Sequence, residues 1–282
     1  MIKVFAPAKI NLCLHVVGQK LDGYHKLDSI VVHVDKGDWI FAEAADDLSL
    51  KLFGPFASSL PNNEKNLVMK AARLLCTDLG ASLSLEKNLP IASGIGGGSS
   101  DCVATLRALS NLWNAPLPNN EELFNLGADV PVCLSTDLTR MQGAGDKLLR
   151  LGRPPILNFL LINPGVELST PKVFETLRLK NNDPIIEDVP HLSTTETWID
   201  WLSAQRNDLE QPAIALKPII YEVLSHLRDH STVKLARMSG SGATCFALFS
   251  EWKDAKDAEA YFQAKHPTWW IRAAKTWFPN TI

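Results

Sequence analysis

The sequence lacks any pattern of paired cysteines. Cys13, Cys76, Cys102, Cys133 and Cys245 are odd in number and include no C-x-x-C pair, so neither a disulfide framework nor a zinc site is expected from them. They read instead as small buried hydrophobes. An excess of either charge is also missing. With 28 Lys and Arg against 31 Asp and Glu the formal net charge is -3, which gives no global electrostatic case for nucleic acid or an anionic membrane as partner. Long apolar runs are absent as well. Met1 to Phe5 leads into Pro7 and Lys9 without the apolar core of a signal peptide, and no later segment is long enough to span a bilayer. Together with the cysteine usage this points to a reducing cytoplasm. Nor are there internal repeats or low-complexity tracts. A chain of 282 residues with this ordinary mixture of apolar and charged residues buries a large core, in one large or two medium domains.

What stands out is Pro90 to Ser100, PIASGIGGGSS, in which Gly96 to Ser100 form an unbroken run of glycine and serine. Val103, Leu106, Leu109 and Trp113 follow at helical spacing, so the run lies just ahead of a helix whose N-cap candidates are Ser99, Ser100 and Asp101. Backbone N–H groups and the positive end of a helix dipole gathered at one place suit a phosphate. The competing reading is a turn that only reverses the chain or packs a helix tightly on a strand. Two common nucleotide patterns are excluded: no Lys-Ser or Lys-Thr pair follows the last glycine, and no glycine stands three residues after Gly96.

Taken in order, residues 2 to 17 hold strand-type stretches. Ile10, Leu12, Leu14 and Val16 alternate with Asn11, Cys13 and His15 in the manner of a half-buried strand, which would put Lys9 and Asn11 on one face. Asp22-Gly23 marks a turn, with Tyr24 and His25 at its tip, before a returning strand from Leu27 to Val34. Further strands are expected at 39–44, 48–53 and 83–85, and a helix at 66–79 that ends at Gly80. Pro154 and Pro155 interrupt both helix and sheet pairing, which makes 1–153 and 154–282 the expected domains. Beyond them come an apolar strand at 156–162, a helix opened by Thr170-Pro171, a polar surface loop at 181–196, a single helix at 214–227, strands at 233–238 and 244–250, a helix at 255–265 and a final strand at 269–274.

Five motifs then stand together: PAKINLCLHVVG from Pro7, DGYH from Asp22, PIASGIGGGSSD from Pro90, GADVPV from Gly127 and MSGSGAT from Met238. In this order they resemble the galactokinase, homoserine kinase, mevalonate kinase and phosphomevalonate kinase superfamily. Within it they are most similar to the branch whose alcohol acceptor is a methylerythritol carrying a CDP group. The resemblance implies an α+β, two-domain small-molecule kinase. Its N-terminal ATP-binding domain would be like domain 2 of ribosomal protein S5, and its C-terminal domain ferredoxin-like, with the two facing each other across a cleft. It also implies transfer of the ATP γ-phosphoryl group to the acceptor's 2-hydroxyl in non-mevalonate isoprenoid precursor synthesis.

By the same resemblance Asp129 is the catalytic aspartate and Lys9 its lysine partner. The chemistry agrees, since an attacking hydroxyl must be aligned and relieved of its proton. Without the motifs, Asp129 reads as a helix or turn cap and Lys9 as a solvated strand residue. Pro90, Ile91, Ala92, Ser93, Gly94, Ile95, Gly96, Gly97, Gly98, Ser99 and Ser100 are implied to hold the ATP phosphates, and Asn66, Leu67 and Lys87 to lie near adenine and ribose. The plain alternatives for that second group are a helix cap and an exposed basic side chain. Mg²⁺ is expected to accompany ATP, although no acidic ligand for it follows from the sequence. Tyr24, His25 and Phe174 are implied to recognise cytosine by stacking and by a hydrogen bond to its edge, with Asn11 as a polar contact. Their alternatives are a hairpin aromatic at Tyr24 and a core helix residue at Phe174. Ser239 to Gly242 is expected to combine phosphate or diphosphate contacts through its N–H groups with holding the C-terminal domain against the loop. Ala92 and Ser93 stand where members of this family often have glycine, and small residues fit there.

Overall fold

The computed structural model describes all residues except Asp22, Cys76, Thr77, Pro154, Pro155, 186–188, 190–193 and 279–282. The expected domain boundary at Pro154 and Pro155, the first residue of the DGYH turn and one of the five cysteines therefore lie outside the described residues. Ten strands and nine α-helices are described: β1 (Ile2–Gln19), β2 (His25–Ala44), β3 (Ser49–Phe53), α1 (Leu67–Leu75), β4 (Ala81–Glu86), α2 (Gly97–Trp113), α3 (Asn120–Leu126), α4 (Val130–Cys133), β5 (Thr139–Gly143), β6 (Lys147–Arg150), β7 (Asn158–Asn163), α5 (Thr170–Thr176), α6 (Thr195–Ser203), α7 (Glu210–Leu216), α8 (Ile219–Arg228), β8 (Leu235–Met238), β9 (Cys245–Phe249), α9 (Trp252–Lys265) and β10 (Trp270–Lys275). By internal contacts the chain forms two units that interleave in sequence. One holds Met1–Lys9, Lys36–Ile91 and Gly96–Ser135, and the other Ile10–Asp35, Ala92–Ile95 and Thr136–Ile282.

In the first unit β4 pairs in parallel with β3 and antiparallel with the second half of β2, with Leu50 opposite Leu83 and Ile40 opposite Leu85. A parallel pair needs a crossover, and α1 supplies it. Ala6, Ile40, Ala42, Leu83 and Leu85 from the strands pack with Val68 and Ala72 of α1 and Ala104, Ala108 and Leu109 of α2. The small alanines let the two helices lie close to the sheet, and the apolar area they remove from water stabilises the unit.

In the second unit the strands run in the order β10-β7-β9-β8, every pairing antiparallel. With helices between β7 and β8 and between β9 and β10, this is the split βαβ arrangement of a ferredoxin-like domain. All six residues of β7 are buried, the terminal Asn158 and Asn163 as well as the apolar Phe159 to Ile162. The first half of β2 pairs with β5, and β5 with β6.

Three expectations change. β1 is not half-buried: every residue from Ala6 to Val16 is buried, so Asn11 and His15 lie inside. The helix expected at 214–227 is two helices, because Pro218 cannot continue α7 and pushes Lys217 to φ −139° and ψ 86°, out of the helical region. The stretch read as a polar loop ends in α6, whose N-terminus carries a capping box between Thr194 and Thr197. The cysteine reading holds among the described residues, where Cys13, Cys102, Cys133 and Cys245 are buried and free. Burial pushes the thiols of Cys13, Cys102 and Cys133 up to about 12, which leaves them protonated and inert at neutral pH.

Candidate active site

The glycine run enters α2 earlier than its serines imply. Gly96 is the N-cap, left-handed at φ 63°, and the helix begins at Gly97. The first i→i−4 bond runs from the Ser100 N–H to the Gly96 carbonyl at 2.9 Å. The amides of Gly97, Gly98 and Ser99 therefore have no acceptor within the helix. Ser99, Ser100 and Asp101 are not caps: Ser100 is buried and its hydroxyl donates to the Pro7 carbonyl at 2.5 Å. Added side chains would fit tightly at Gly96 and with ordinary contact at Gly98. A Cβ on Gly96 would sit 3.0 Å from both Cβ and Cε of Lys9, and one on Gly98 would lie 3.6 Å from Leu67.

Lys9, contacted by Gly96, is 3 % exposed and points its ammonium at Asp129. Nζ lies 2.9 Å from Asp129 Oδ2, whose side chain is 37 % exposed. Asp129 stands at the N-cap of α4, but its side chain makes no cap hydrogen bond, so it does not serve as a helix cap. A buried lysine thus holds a half-open carboxylate beside the glycine turn. The alternative reading of Lys9 as a solvated strand residue does not survive its burial. Gly127, the first residue of GADVPV, brings this segment to within 4.0 Å of the Ser99 hydroxyl for a Cβ built there.

Lys87 is not the exposed basic side chain of the plain reading. It is 2 % exposed, and its Nζ lies 2.6 Å from both Asp38 Oδ2 and Asp101 Oδ2. Asp38 Oδ1 also accepts from the amides of Asn88 at 2.5 Å and Leu89 at 2.9 Å. This buried triad underlies the loop, since a Cβ on Gly97 would meet Lys87 Nζ at 3.1 Å. Burial, reinforced by Asp38 and only partly offset by Lys87, pushes the Asp101 carboxyl up to about 8. Burial alone would lower Lys87, but the two carboxylates outweigh it and hold the ammonium above its ordinary value. A carboxyl raised in the folded state contributes stability that is full below its unfolded pKa and is lost as pH rises through the folded value. Asp101→Asn is therefore expected to melt close to the parent near pH 4, where the unfolded carboxyl also keeps its proton, and increasingly above it as pH rises toward 9. Destabilisation of the variant at both values would show that the carboxylate stays ionised.

Asn66 caps α1: its Oδ1 accepts from the Val68 amide at 2.9 Å, and its Nδ2 donates to the Pro61 carbonyl at 2.7 Å. Both ends of the amide are engaged, which is the helix-cap alternative. Leu67 is the first residue of that helix, against Gly98.

Residues 92–95 belong to the second unit, where the Ser239 to Gly242 turn clamps them. The Thr244 amide donates to the Ser93 carbonyl at 3.0 Å, and the Ser239 hydroxyl donates to the Gly94 carbonyl at 3.1 Å while accepting from the Asn11 amide at 3.1 Å. A Cβ on Gly94, at φ 76°, would lie 2.4 Å from the Ser239 carbonyl oxygen and 2.7 Å from the Gly242 nitrogen. Holding the loop is thus one job of this turn. Gly94→Ala is expected to destabilise the chain by about 3 kcal/mol or more, because backbone on both sides blocks relaxation and the left-handed φ adds its own cost. A loss under about 1 kcal/mol in urea unfolding would contradict that packing. Ala92, at φ 48°, shows what the absent glycine costs, since a side chain there sits in the left-handed region.

The base-recognition candidates also lie in the second unit. Tyr24 is 59 % exposed at the end of the β1–β2 turn, where its carbonyl accepts from the Lys20 amide at 2.7 Å. His25 and Phe174 are stacked, with centroids 4.6 Å apart and planes 20° from parallel. Burial, with the nearby Lys180 ammonium, holds the His25 imidazole below its ordinary value and therefore neutral at pH 7. Phe174 packs half-buried against the core of this unit, so it combines the core role with a stacking face. Asn11 is 1 % exposed and its Nδ2 donates to the Ser29 hydroxyl at 2.8 Å. Asp38 and Asp101 are the site residues that sequence reasoning missed. Asp38 follows Asp35, Lys36 and Gly37 in a charged stretch of β2, so no local pattern sets it apart.

Residues 66–137 match the model of the GHMP kinases N terminal domain, and residues 191–268 that of the GHMP kinases C terminal domain. A 4-diphosphocytidyl-2-C-methyl-D-erythritol kinase of Ruegeria pomeroyi is 51% identical over 271 residues, covering 95% of this chain and 97% of that one. Its counterpart in Rhizobium meliloti is 45% identical over 284 residues, covering 96% and 94%. Among solved structures, a 4-(cytidine 5'-diphospho)-2C-methyl-D-erythritol kinase superposes with a TM-score of 0.81 at 29% identity, covering 98% of this chain and 100% of that one. A homoserine kinase from Cytophaga hutchinsonii shares the fold at TM-score 0.67 and 19% identity, covering 98% and 94%. Full-length identity near one half, matches to both domain models and a shared fold agree, and the chain belongs to the GHMP kinases, in their 4-diphosphocytidyl-2-C-methyl-D-erythritol kinase family.

Proposed function

We propose that this chain transfers the γ-phosphoryl group of ATP to the 2-hydroxyl of 4-diphosphocytidyl-2-C-methyl-D-erythritol, giving the 2-phosphate and ADP, as a cytoplasmic step of non-mevalonate isoprenoid precursor synthesis. The observation that carries this reading is the Lys9–Asp129 pair, 2.9 Å apart, against the glycine turn that opens α2. The amides at the helix start, which have no acceptor within the helix, bind the nucleotide phosphates, where the helix dipole adds its positive end. Asp129 aligns the acceptor hydroxyl and takes its proton. The hydroxyl oxygen bonds to the γ-phosphorus as the bond to the bridging oxygen of ADP breaks. Lys9, fixed by burial and by Gly96, holds the carboxylate in place and offsets negative charge that builds up on the transferred group.

Mg²⁺ fits this donor set, since the Asp129 carboxylate and the Ser99 hydroxyl supply hard oxygens of the kind it takes alongside phosphates. When bound it neutralises phosphate charge. Tyr24 and Phe174 stack on cytosine and the neutral His25 hydrogen-bonds its edge, with Asn11 as a further polar contact. The ATP-binding residues then belong to 1–153, and 154–282 contributes Phe174 to the acceptor site. Phosphorylation of a panel of alcohols with and without a CDP group tests the reading. Turnover confined to the CDP acceptor is expected, whereas equal or better turnover of homoserine, mevalonate or a sugar would assign another specificity, and no turnover of any would leave a nucleotide-binding regulator.

A further inference from the structure

Glu222 and His226 are four residues apart on α8 and so share one face of that helix. His266 is the residue that closes α9. One ligand atom from each of the three lies within 4.8 Å of the others, the one such group of metal-ligating side chains among the described residues. The two imidazoles are 5.0 Å apart by centroid, and His266 stacks on Trp269 at 3.7 Å and 6°. Packing accounts for that stack and leaves the polar atoms unexplained. His226 Nδ1 and His266 Nε2 are shielded from solvent and have no hydrogen-bond partner among the described residues. Buried polar nitrogens without a partner are costly, and their recurrence in one cluster calls for something that satisfies both.

We infer that Glu222, His226 and His266 form a binding site for a divalent transition ion of the zinc class, clamping α8 to the end of α9. Two imidazoles and a carboxylate are a donor set suited to Zn²⁺, with a fourth position left for water. Tetrahedral ligands at about 2.1 Å from such an ion stand about 3.4 Å apart, so the group must contract slightly. Exposed Glu222 does so by rotation. Hard Mg²⁺ has no preference for imidazole, so the Mg²⁺ that accompanies ATP does not compete. None of the three residues has a part in the phosphoryl transfer or base recognition proposed above.

The test is equilibrium Zn²⁺ binding to the full chain, read by competition with a chromophoric chelator in millimolar Mg²⁺. One Zn²⁺ per chain at micromolar Kd or tighter is expected, together with a higher melting temperature. His226→Gln should abolish binding, and Glu222→Gln should weaken it at least tenfold while leaving zinc-free kinase turnover unchanged. Should His226→Gln fail to fold, the exposed Glu222 variant decides alone. Absence of binding by the parent chain, or parental affinity in Glu222→Gln, overturns the assignment.

Discussion

Asp129→Asn is expected to lower kcat by about 10²- to 10⁴-fold, the usual range for loss of a positioned proton acceptor, while ATP binding and the fold persist. The amide keeps the shape of the carboxylate and can still accept from Lys9 Nζ, but it cannot take the hydroxyl proton. Its effect on stability should be small. Breaking a fully buried ion pair typically costs about 3 to 5 kcal/mol, yet the Asp129 side chain is 37 % exposed, so solvent screens the pair toward the smaller figure of about 1 kcal/mol typical of open ones. For a chain of this size that corresponds to a melting shift of about 2 to 4 °C. Steady-state kinetics with nucleotide titration and a thermal melt separate the two effects. Near-normal turnover would remove Asp129 from the chemistry. Loss of ATP binding would recast the residue as a support of the glycine turn.

The second large effect is expected at the aromatic pair. Tyr24→Ala and Phe174→Ala should each raise the KM for the CDP acceptor by roughly 5- to 150-fold and leave the KM for ATP within about twofold. Base stacking is worth about 1 to 3 kcal/mol per base by alanine substitution, which sets that range. Tyr24 gives the cleaner experiment, because a ring that is 59 % exposed contributes little to packing. Phe174 lies against the core and carries the His25 ring at 4.6 Å, so its truncation also frees the imidazole. An equal rise in both KM values for Tyr24→Ala would argue for a structural role of the turn.

Much of the fold was legible because local chemistry and tertiary packing agree. The apolar run that becomes β7, the helical spacing after the glycine run, and Pro171 at the start of α5 each predict the element found. Failures fell where one local signal hid another. Alternation in β1 suggested a wet face, but Asn11 and His15 are buried and hydrogen-bonded, which binary patterning cannot distinguish from exposure. Ser99 and Ser100 looked like caps because serine caps helices, yet Gly96 alone reaches the left-handed geometry that starts the helix early.

The site was legible through its motifs, not through spacing. Lys9 and Asp129 are 120 positions apart, and only the recurring GADVPV and PAKINL patterns connect them before the fold does. The partners of Lys87 were out of reach. Nothing local marks Asp38 and Asp101 as two carboxylates that share one buried ammonium. The Ser239 to Gly242 turn carried two expected roles, and the short approaches between Gly94 and Ser239 give loop support a physical basis.

The central claim is that a phosphoryl group moves from ATP to one particular hydroxyl of a CDP-bearing acceptor. Phosphorus NMR of the chain incubated with ATP, Mg²⁺ and 4-diphosphocytidyl-2-C-methyl-D-erythritol tests it most directly. The account predicts ADP and a new phosphate monoester in equal amounts, with the monoester on the 2-hydroxyl. ADP formed without that ester, or an ester at any other hydroxyl, would contradict it.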